Sequence, residues 1–372
     1  MRIGFDAKRA FNNPRGLGNY SRETLRILSS LAPENQYYLF TPDIRSDIGF
    51  TCPPNANLQT SNKKGGLAQS LWRTFGITRE AERLKLDLYH GLSHELPFGI
   101  EKSGVRTVLT MHDLLFLRHP ESYPAFDRLM YKKKYLHSCS ISDIIIAVSN
   151  KTKQDLLELV HLNPDKVEVV YQGCRPEFKK QASDEQKQKL REKYRLPKEF
   201  LLNVAAIEPR KNQLLILKAM VSKKLDIHLV IAGQKTGYLQ ELQNHVAKHG
   251  LQHQVTFLPN LPAEELPILY QCATIFVFPS FYEGFGIPIL EALESGLPII
   301  AATGSCLEES GGPDSLYVSP HDEQALAEQI QNLLDDPARR ETMVEQGREY
   351  AQRFSDRAIC QQLTRIYQNL LP

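Results

Sequence analysis

The chain has 372 residues, of which 42% are hydrophobic, and this length predicts two domains rather than one. A formal net charge of only +2 argues against a protein that binds nucleic acid or a strongly acidic partner. The six cysteines form no CxxC pair, so we expect reduced thiols and no metal site. The sequence carries neither a signal-peptide pattern nor an apolar segment of about 18 residues, which predicts a cytoplasmic protein.

Short apolar runs alternate with segments of helical period, as in parallel sheets that are covered by helices. In the first half we predict strands at 2–7, 36–41, 87–90, 105–110, 144–148 and 167–171. The helices predicted between them span 18–32, 69–85, 123–138 and 149–161. The pattern then restarts, with strands predicted at 200–205, 227–233, 255–259, 274–280 and 298–302. We therefore predict an α/β protein with two Rossmann-like, doubly wound domains.

A polar, helix-prone segment that ends at Pro197 separates the two halves. We place the first domain at 1–177, a linker at 178–198 and the second domain at 199–353. The last segment opens with Ser355 as an N-cap and carries apolar residues on one face, which predicts a helix that packs on a domain.

The most informative stretch is PSFYEGFGIPILEALESGLPIIAA (279–302), in which a strand leads through a glycine turn into a helix. Gly284 and Gly286 let the backbone approach a ligand, so that amide groups and the positive helix end face a phosphate or a sugar. Glu283 and Glu291 are about two helical turns apart, on one face, and their carboxylates suit paired hydroxyls. Each carboxylate alone is better explained by a solvated surface charge, but the whole constellation favours a binding site.

Two adjacent cations follow another predicted strand in VAAIEPRKNQ (204–213). Arg210 and Lys211 lie where strand ends collect ligands, and they can neutralise a diphosphate without a metal. The alternative is a basic loop at a helix start, where cations are slightly unfavourable. That local cost favours an anionic ligand.

Two weaker features lie in the first half. The turn NPRGLGNYS (13–21) includes Gly16, Leu17 and Gly18, whose backbone donors suit a phosphate or give an acceptor close access. Because this turn lacks the full GxGxxG spacing, a bound dinucleotide is disfavoured. His112 follows the predicted strand at 105–110, at the ligand-facing edge of the sheet, although a single histidine is more often structural.

Taken together, these motifs resemble the retaining glycosyltransferases of family 4, which have the GT-B fold and include bacterial mannosyltransferases. The most specific motifs are EPRKN (208–212) and the E-x7-E element from Glu283 to Glu291. The resemblance implies that two Rossmann-like domains face each other across a cleft, the first binding the acceptor and the second the nucleotide-sugar. It also implies that a C-terminal helix, 354–372, completes the first domain.

The resemblance also assigns roles to residues. Arg210 and Lys211 would hold the diphosphate, Glu291 the ribose hydroxyls, and Glu283 with the amides of Phe285, Gly286 and Ile287 the sugar and phosphate. Glu283 and His112 would be the catalytic residues, with His112 beside the transferred sugar. Gly16, Leu17 and Gly18 would lie near the diphosphate and the acceptor. Relatives often carry Gly-Arg or Gly-Thr before the basic pair, whereas Ala205 and Ala206 stand here, so Arg210 would replace a missing arginine.

We therefore expect a retaining, metal-independent hexosyltransferase that needs no cofactor besides its donor. By resemblance the donor is GDP-mannose first and a UDP-sugar second, and the acceptor is a glycan or lipid-linked chain of a bacterial surface polysaccharide or lipopolysaccharide. Two alternatives stay open: a nucleotide-sugar epimerase of the same fold, and a non-catalytic two-domain sugar-binding protein. The basic, aromatic stretches 70–85 and 123–137 also suit peripheral contact with the inner face of a membrane.

Overall fold

The structure is a computed structural model, which describes residues 1–61 and 65–371. Residues 62–64 of the predicted first domain and Pro372 of the predicted C-terminal helix lie outside the described residues. The chain divides into two compact units. Unit 1 comprises Met1–Gly173 and Phe354–Pro372, and unit 2 comprises Cys174–Arg353.

Unit 1 contains a parallel sheet of seven strands within the described residues, in the order β3-β2-β1-β4-β5-β6-β7. The strands are β1 (Arg2–Asp6), β2 (Gln36–Thr41), β3 (Ala56–Thr60), β4 (Leu88–Gly91), β5 (Arg106–Met111), β6 (Ile144–Ala147) and β7 (Val167–Val169). The central strands are buried along most of their length, and β6 is the continuous apolar run IIIA, as expected for a parallel sheet that helices cover on both faces.

The α-helices of unit 1 that precede the crossover are α1 (Lys8–Asn12), α2 (Gly16–Leu31), α3 (Gly66–Leu71), α4 (Ile77–Arg83), α5 (Leu115–Arg118), α6 (Ala125–Ile141) and α7 (Asn150–Val160). A π-helical turn, Trp72–Gly76, joins α3 to α4. The sequence predicts a single helix at 69–85. The structure instead has three consecutive helical segments there: α3, the π-helical turn and α4.

Unit 2 repeats the architecture with a parallel sheet, in the order β10-β9-β8-β11-β12-β13. Its strands are β8 (Phe200–Val204), β9 (His228–Ala232), β10 (Val255–Leu258), β11 (Ile275–Phe278), β12 (Ile299–Ala302) and β13 (Leu316–Val318). Its α-helices are α8 (Asp184–Tyr194), α9 (Gln213–Lys223), α10 (Leu239–Lys248), α11 (Leu266–Cys272), α12 (Ile287–Glu294), α13 (Leu307–Gly311), α14 (Glu323–Asp335) and α15 (Pro337–Ala351). Both units are Rossmann-like, as the sequence predicts.

The segment 174–198, divided in the sequence analysis between the first domain and a linker, belongs to unit 2. Phe178 is completely buried and lies edge-on to Tyr270, with ring centroids 5.4 Å apart. Gln271 bonds the backbone of Lys180 and Ala182, each at 2.8 Å. The segment is therefore packed against α11 and is not a free linker.

The last helix, α16 (Asp356–Asn369), returns to unit 1. Ser355 caps it, since its hydroxyl accepts a hydrogen bond from the backbone of Ala358. Ile359, Leu363 and Tyr367 are buried, and Arg26 of α2 pairs with Asp356 at 2.7 Å. In the described part of the chain, no helix is both long enough and apolar enough to cross a membrane.

Candidate functional site

The predicted donor-site residues of unit 2 follow two neighbouring strands, β8 and β11. The chain order of the sheet reverses at β8, whose neighbours are β9 and β11, and such a switch point leaves a crevice at the carboxyl ends of the strands. The loops beyond these strands meet at the carbonyl oxygen of Arg210. Phe281 donates its backbone N–H to this oxygen at 3.0 Å, and the hydroxyl oxygen of Ser280 lies 3.2 Å from it.

Arg210 and Lys211 converge on one carboxylate, that of Glu283. Lys211 donates from Nζ to Oε1 of Glu283, and Nη1 of Arg210 lies 3.3 Å from the same oxygen. The hydroxyl of Ser280 donates to this oxygen at 2.7 Å. The side chains of Lys211 and Glu283 are each only 13% exposed. The two cations predicted to hold a diphosphate therefore lie together, with an acidic partner between them.

The electrostatics of Glu283 favour its charged form. Burial alone would raise the pKa of this carboxyl, but Lys211 and Arg210 outweigh burial and hold the pKa below its ordinary value. Arg210 also pairs with Glu208 at 2.7 Å and donates to the carbonyl of Tyr282 at 2.6 Å. Glu283 is thus a fixed carboxylate that can accept hydroxyl hydrogen bonds and orient both cations.

The glycine turn after β11 ends at Gly286, the N-cap of α12. Gly286 has φ +98°, in the left-handed region, and a Cβ there would lie 2.9 Å from Leu307 and 2.9 Å from the hydroxyl of Ser310. Glycine is therefore required both by conformation and by space. No side chain among the described residues caps α12, so its first turn, which begins at Ile287, offers the positive helix end that the sequence predicts after Gly284 and Phe285.

Glu291 lies inside α12 and is only 6% exposed. The hydroxyl of Tyr270 donates to its Oε2 at 3.0 Å. Burial raises the pKa of Glu291 to about 7, although Arg175 and the Tyr270 hydroxyl act in the opposite direction. Glu291 is therefore a buried acid that changes its charge near neutral pH.

The two glutamates of the E-x7-E element belong to different sets of contacts within unit 2. Glu283 contacts Ser280 and the basic pair, whereas Glu291 contacts Tyr270. Glu283 precedes α12 and only Glu291 lies on it, so the two carboxylates are not two turns apart on one helix as the sequence predicts.

Gly16, Leu17 and Gly18 lie in unit 1 and form the first turn of α2, not a turn before the helix as the sequence analysis describes it. The reason is α1, which already follows β1 and takes up the connection. No described side chain caps α2, and Gly16 is exposed with open space around it. At Gly18, a Cβ would overlap the carbonyl oxygen of Asn13.

His112 follows β5 in unit 1 and is 6% exposed. Its Nε2 lies 2.9 Å from the carbonyl oxygen of Leu92, and its ring stands edge-on to Tyr20 of α2, with centroids 4.5 Å apart. Burial, and secondly the neighbouring His94, lower the pKa of His112 to about 3. His112 is therefore a neutral imidazole. Through Tyr20 it contacts α2, the helix that begins at Gly16.

Sequence reasoning missed several partners of these residues. Ser280, Tyr270 and Cys306 have no distinctive spacing, yet each bonds one of the two glutamates: the thiol of Cys306 lies 3.1 Å from the carbonyl oxygen of Glu283. The position of Ser280 at the end of β11 was the only available signal. Tyr270 belongs to α11 and Cys306 directly precedes α13, so only the tertiary fold could reveal them.

Two family models match the chain. Residues 16–178 match Glycosyltransferase Family 4, and residues 184–350 match Glycosyl transferases group 1. The second match contains Arg210, Lys211, Glu283 and Glu291, and the first contains His112 and Gly16 to Gly18.

Among curated proteins, the chain is 28% identical over 358 residues to O-antigen chain mannosyltransferase B of Escherichia coli, covering 91% of this chain and 92% of that protein. It is 32% identical over 260 residues to the serotype-specific mannosyltransferase WbdA of Escherichia coli. That match covers 67% of this chain but only 32% of WbdA.

Solved structures with the same fold include Anabaena Alr3699/HepE in complex with UDP and glucose, at a TM-score of 0.77 and 20% identity, covering 99% of this chain and 100% of that one. WaaG, a glycosyltransferase involved in lipopolysaccharide biosynthesis, has a TM-score of 0.73 at 16% identity, with 99% of each chain covered. Because the two family models account for most of the chain, this protein belongs to the glycosyltransferases of group 1 and family 4, and it has the GT-B fold.

Proposed function

We propose that the protein transfers mannose from a nucleotide-diphosphate donor, GDP-mannose, to a hydroxyl of a glycan or lipid-linked acceptor in bacterial surface-polysaccharide synthesis. The observation that carries the proposal is the convergence of Arg210 and Lys211 on Glu283 at the switch point of unit 2. The mannosyltransferases of Escherichia coli among its relatives support the choice of sugar. A UDP-sugar is the second candidate, because HepE binds UDP.

The donor diphosphate would bind Arg210, Lys211 and the uncapped start of α12. Charge-assisted hydrogen bonds from two fixed cations stabilise the negative charge that grows on a leaving diphosphate. Glu283 would accept hydroxyl hydrogens of the sugar, and Glu291 those of the ribose. Since the cations supply the charge that a divalent ion supplies elsewhere, we propose that the reaction needs no metal.

Family membership supports a retaining reaction. The acceptor hydroxyl oxygen would form a bond to the anomeric carbon on the face from which the diphosphate leaves. The bond between that carbon and the phosphate oxygen breaks, and the leaving phosphate oxygen takes the hydroxyl proton. Unit 1, with His112 and the Gly16-to-Gly18 turn, would bind the acceptor and contact the transferred sugar.

A transfer assay tests this proposal. We expect the protein, incubated with GDP-mannose and a soluble α-mannoside primer, to add mannose to the primer in the presence of EDTA. Mass spectrometry measures the added hexose, and NMR of the product gives its anomeric configuration. Retention predicts an α-linked product from the α-linked donor. A β-linked product would refute retention, and transfer that EDTA abolishes would refute metal independence.

A surface of unit 1 supports peripheral contact with an anionic membrane. Seven large apolar side chains are exposed on the described surface of α3, the π-helical turn, the loop after β4, and α6: Leu67, Leu71, Phe75, Phe98, Phe126, Leu129 and Met130. The rings of Phe75 and Phe98 lie 5.6 Å apart, and Phe98 stacks on His137, which connects the π-helical turn to α6. The run Lys132 to Lys134 on α6 supplies positive charge beside this surface.

Vesicle co-sedimentation at low salt tests this surface. We expect binding to vesicles that contain anionic phospholipid and little binding to neutral vesicles. Phe126→Ser with Leu129→Ser should reduce binding several-fold, because both side chains are among the most exposed of the patch. Leu31→Ser is the matched control, since Leu31 is 50% exposed but belongs to α2. Equal binding by the wild-type protein, the double variant and the control would exclude a role of this surface in membrane contact.

A further inference from the structure

His112 donates two hydrogen bonds to one loop, the segment that follows β4. The carbonyl oxygen of Leu92 lies 2.9 Å from Nε2 of the His112 ring. Nε2 of His94 lies 2.9 Å from the backbone nitrogen of His112. A carbonyl only accepts and a backbone N–H only donates, so both directions are fixed. Nε2 of His112 carries a proton, whereas Nε2 of His94 carries a lone pair.

The charge of the two rings follows from their pKa values. Burial lowers the pKa of each ring to about 3, so both are neutral at physiological pH. A neutral His112 with its proton on Nε2 has the lone pair on Nδ1. Within the described residues no hydrogen bond involves Nδ1 of His112, and this atom is not among the fully enclosed polar atoms that lack a partner.

The backbone of His94 is unusual for a residue with a side chain. It has φ +67°, in the left-handed region, which costs a non-glycine residue about 1 kcal/mol or more. The surroundings hold it there: its backbone N–H donates to the carbonyl of Thr110 at 3.0 Å, and its ring packs on Tyr135 at 4.7 Å between centroids. This conformation aims the ring at His112, with the two rings perpendicular at 5.1 Å.

We propose that His94 is a positioning residue, which together with the Leu92 carbonyl holds His112 in a single orientation and tautomer, with Nδ1 presented as a hydrogen-bond acceptor. An acceptor of this kind suits a hydroxyl donor, such as that of a sugar, and disfavours a carboxylate or a phosphate at that point. The effect of His94 on catalysis rests on the proposed function. The arrangement of the two histidines is independent of that function.

NMR of the full-length protein labelled with ¹⁵N-histidine tests the arrangement without any assay of activity. The chemical shifts of the ring nitrogens report which one carries the proton. We expect His112 to be protonated on Nε2 and to stay neutral from pH 5.5 to 8 (a range set by the ordinary histidine pKa of about 6.5). A His112 ring that is protonated on Nδ1, or that titrates in this range, would overturn the proposal.

Two variants of His94 separate positioning from stability. His94→Phe keeps a ring on Tyr135 but removes the acceptor, so we expect turnover of GDP-mannose to fall about 10-fold or more. The dissociation constant for GDP should stay unchanged, because the proposed nucleotide site belongs to unit 2. His94→Gln places an amide oxygen near the position of Nε2 and should restore most of the turnover and the His112 tautomer signals.

His161→Phe is the matched control, because His161 is also left-handed, at φ +57°, but is exposed at the end of α7. A merely structural role of His94 would lower the melting temperature without changing turnover below it, and that result would refute positioning. Unchanged His112 signals in His94→Phe would refute it as well. Failure of the wild-type protein to use any nucleotide-sugar would instead refute the proposed function, while the NMR result still decides the histidine arrangement.

Discussion

At the scale of single residues, Lys211 has two roles: it neutralises Glu283, and it is a proposed ligand of the donor diphosphate. It is half of a mostly buried pair with Glu283, and the pair keeps a cation at the crevice where a diphosphate would bind. The same contact makes the residue important for stability, because removing one partner of a buried pair leaves the other charge uncompensated. We therefore expect a substitution of Lys211 to change both donor binding and the free energy of unfolding.

We predict that Lys211→Ala lowers the affinity for GDP about 100-fold, as expected when a charge-assisted hydrogen bond to phosphate is lost. The melting temperature should also fall, but Arg210 still faces Glu283, so the variant should remain folded. Isothermal titration calorimetry measures the affinity, and circular dichroism the fold. Lys218→Ala, an exposed change on α9, serves as control. Equal GDP affinity in both variants would remove Lys211 from the donor site.

Glu291 gives a pH-dependent prediction. Its pKa rises from 4.5 to about 7 in the folded state, so the folded protein binds more protons than the unfolded chain between these values. The stabilisation linked to Glu291 is complete below pH 4.5 and is lost as the pH rises through 7. At high pH, where Glu291 is charged, this shift lowers the free energy of unfolding by on the order of 3 kcal/mol.

We therefore predict that Glu291→Gln raises the melting temperature by about 5 °C at pH 8.5 and by little at pH 5. The same change should weaken nucleotide binding at pH 8.5, because the proposed partner of the ribose hydroxyls is lost. Thermal melts at the two pH values, with and without GDP, measure both effects. An equal stabilisation at both pH values would show that the charge of Glu291 is not its cause.

At the scale of elements, the glycines at the start of α2 have different roles. A Cβ on Gly18 would overlap the carbonyl oxygen of Asn13, whereas one on Gly16 meets nothing within 4 Å. The first substitution forces the backbone to move, and the second merely adds a better helix former.

We predict that Gly18→Ala destabilises the protein by about 2 kcal/mol. Gly16→Ala should be neutral or stabilising by up to about 1 kcal/mol. Urea unfolding of the two variants side by side measures the difference. Similar stabilities would contradict the close approach of Asn13 to Gly18.

Element by element, sequence reasoning succeeded where strands are buried on both faces. Buried apolar runs such as IFVF of β11 are distinctive, whereas β3 (ANLQT) and β13 (LYV) were missed. Both missed strands lie at the edge of their sheets: β3 is largely polar, and β13 is apolar but only three residues long, which is too short to stand out as a strand. The site motifs were found because they follow strands of the sheet, but their partners, Tyr270 of α11 and Cys306 before α13, lie in segments that carry no motif.

At the scale of the whole molecule, the chain passes from unit 1 to unit 2 and then returns. The returning helix α16 buries Tyr367 completely, and the Tyr367 hydroxyl lies 2.7 Å from Nδ1 of His90. His90 in turn bonds Thr110, which bonds Tyr20, the residue whose ring contacts His112. The end of the sequence is thus part of the structure that surrounds His112.

We predict that a chain ending at Arg353 loses protection from hydrogen exchange in residues 1–173 while residues 174–353 keep theirs. The truncation removes the buried face of α16 from unit 1 and leaves the residues of unit 2 intact. Hydrogen-exchange mass spectrometry of the full and truncated chains measures this. Equal loss of protection in both units would contradict the division of the chain.

We propose that unit 2 binds a nucleotide-diphosphate sugar through Arg210, Lys211 and Glu291. The most direct test is a thermal-shift panel of GDP, UDP, ADP and their sugar conjugates, with and without EDTA, on wild-type protein and on Lys211→Ala. A ligand that binds the folded state must raise its melting temperature. We predict an EDTA-insensitive shift that is largest with GDP-mannose and is lost in Lys211→Ala. No shift with any nucleotide would contradict donor binding by unit 2, and the same shift in both proteins would exclude Lys211 from the donor site.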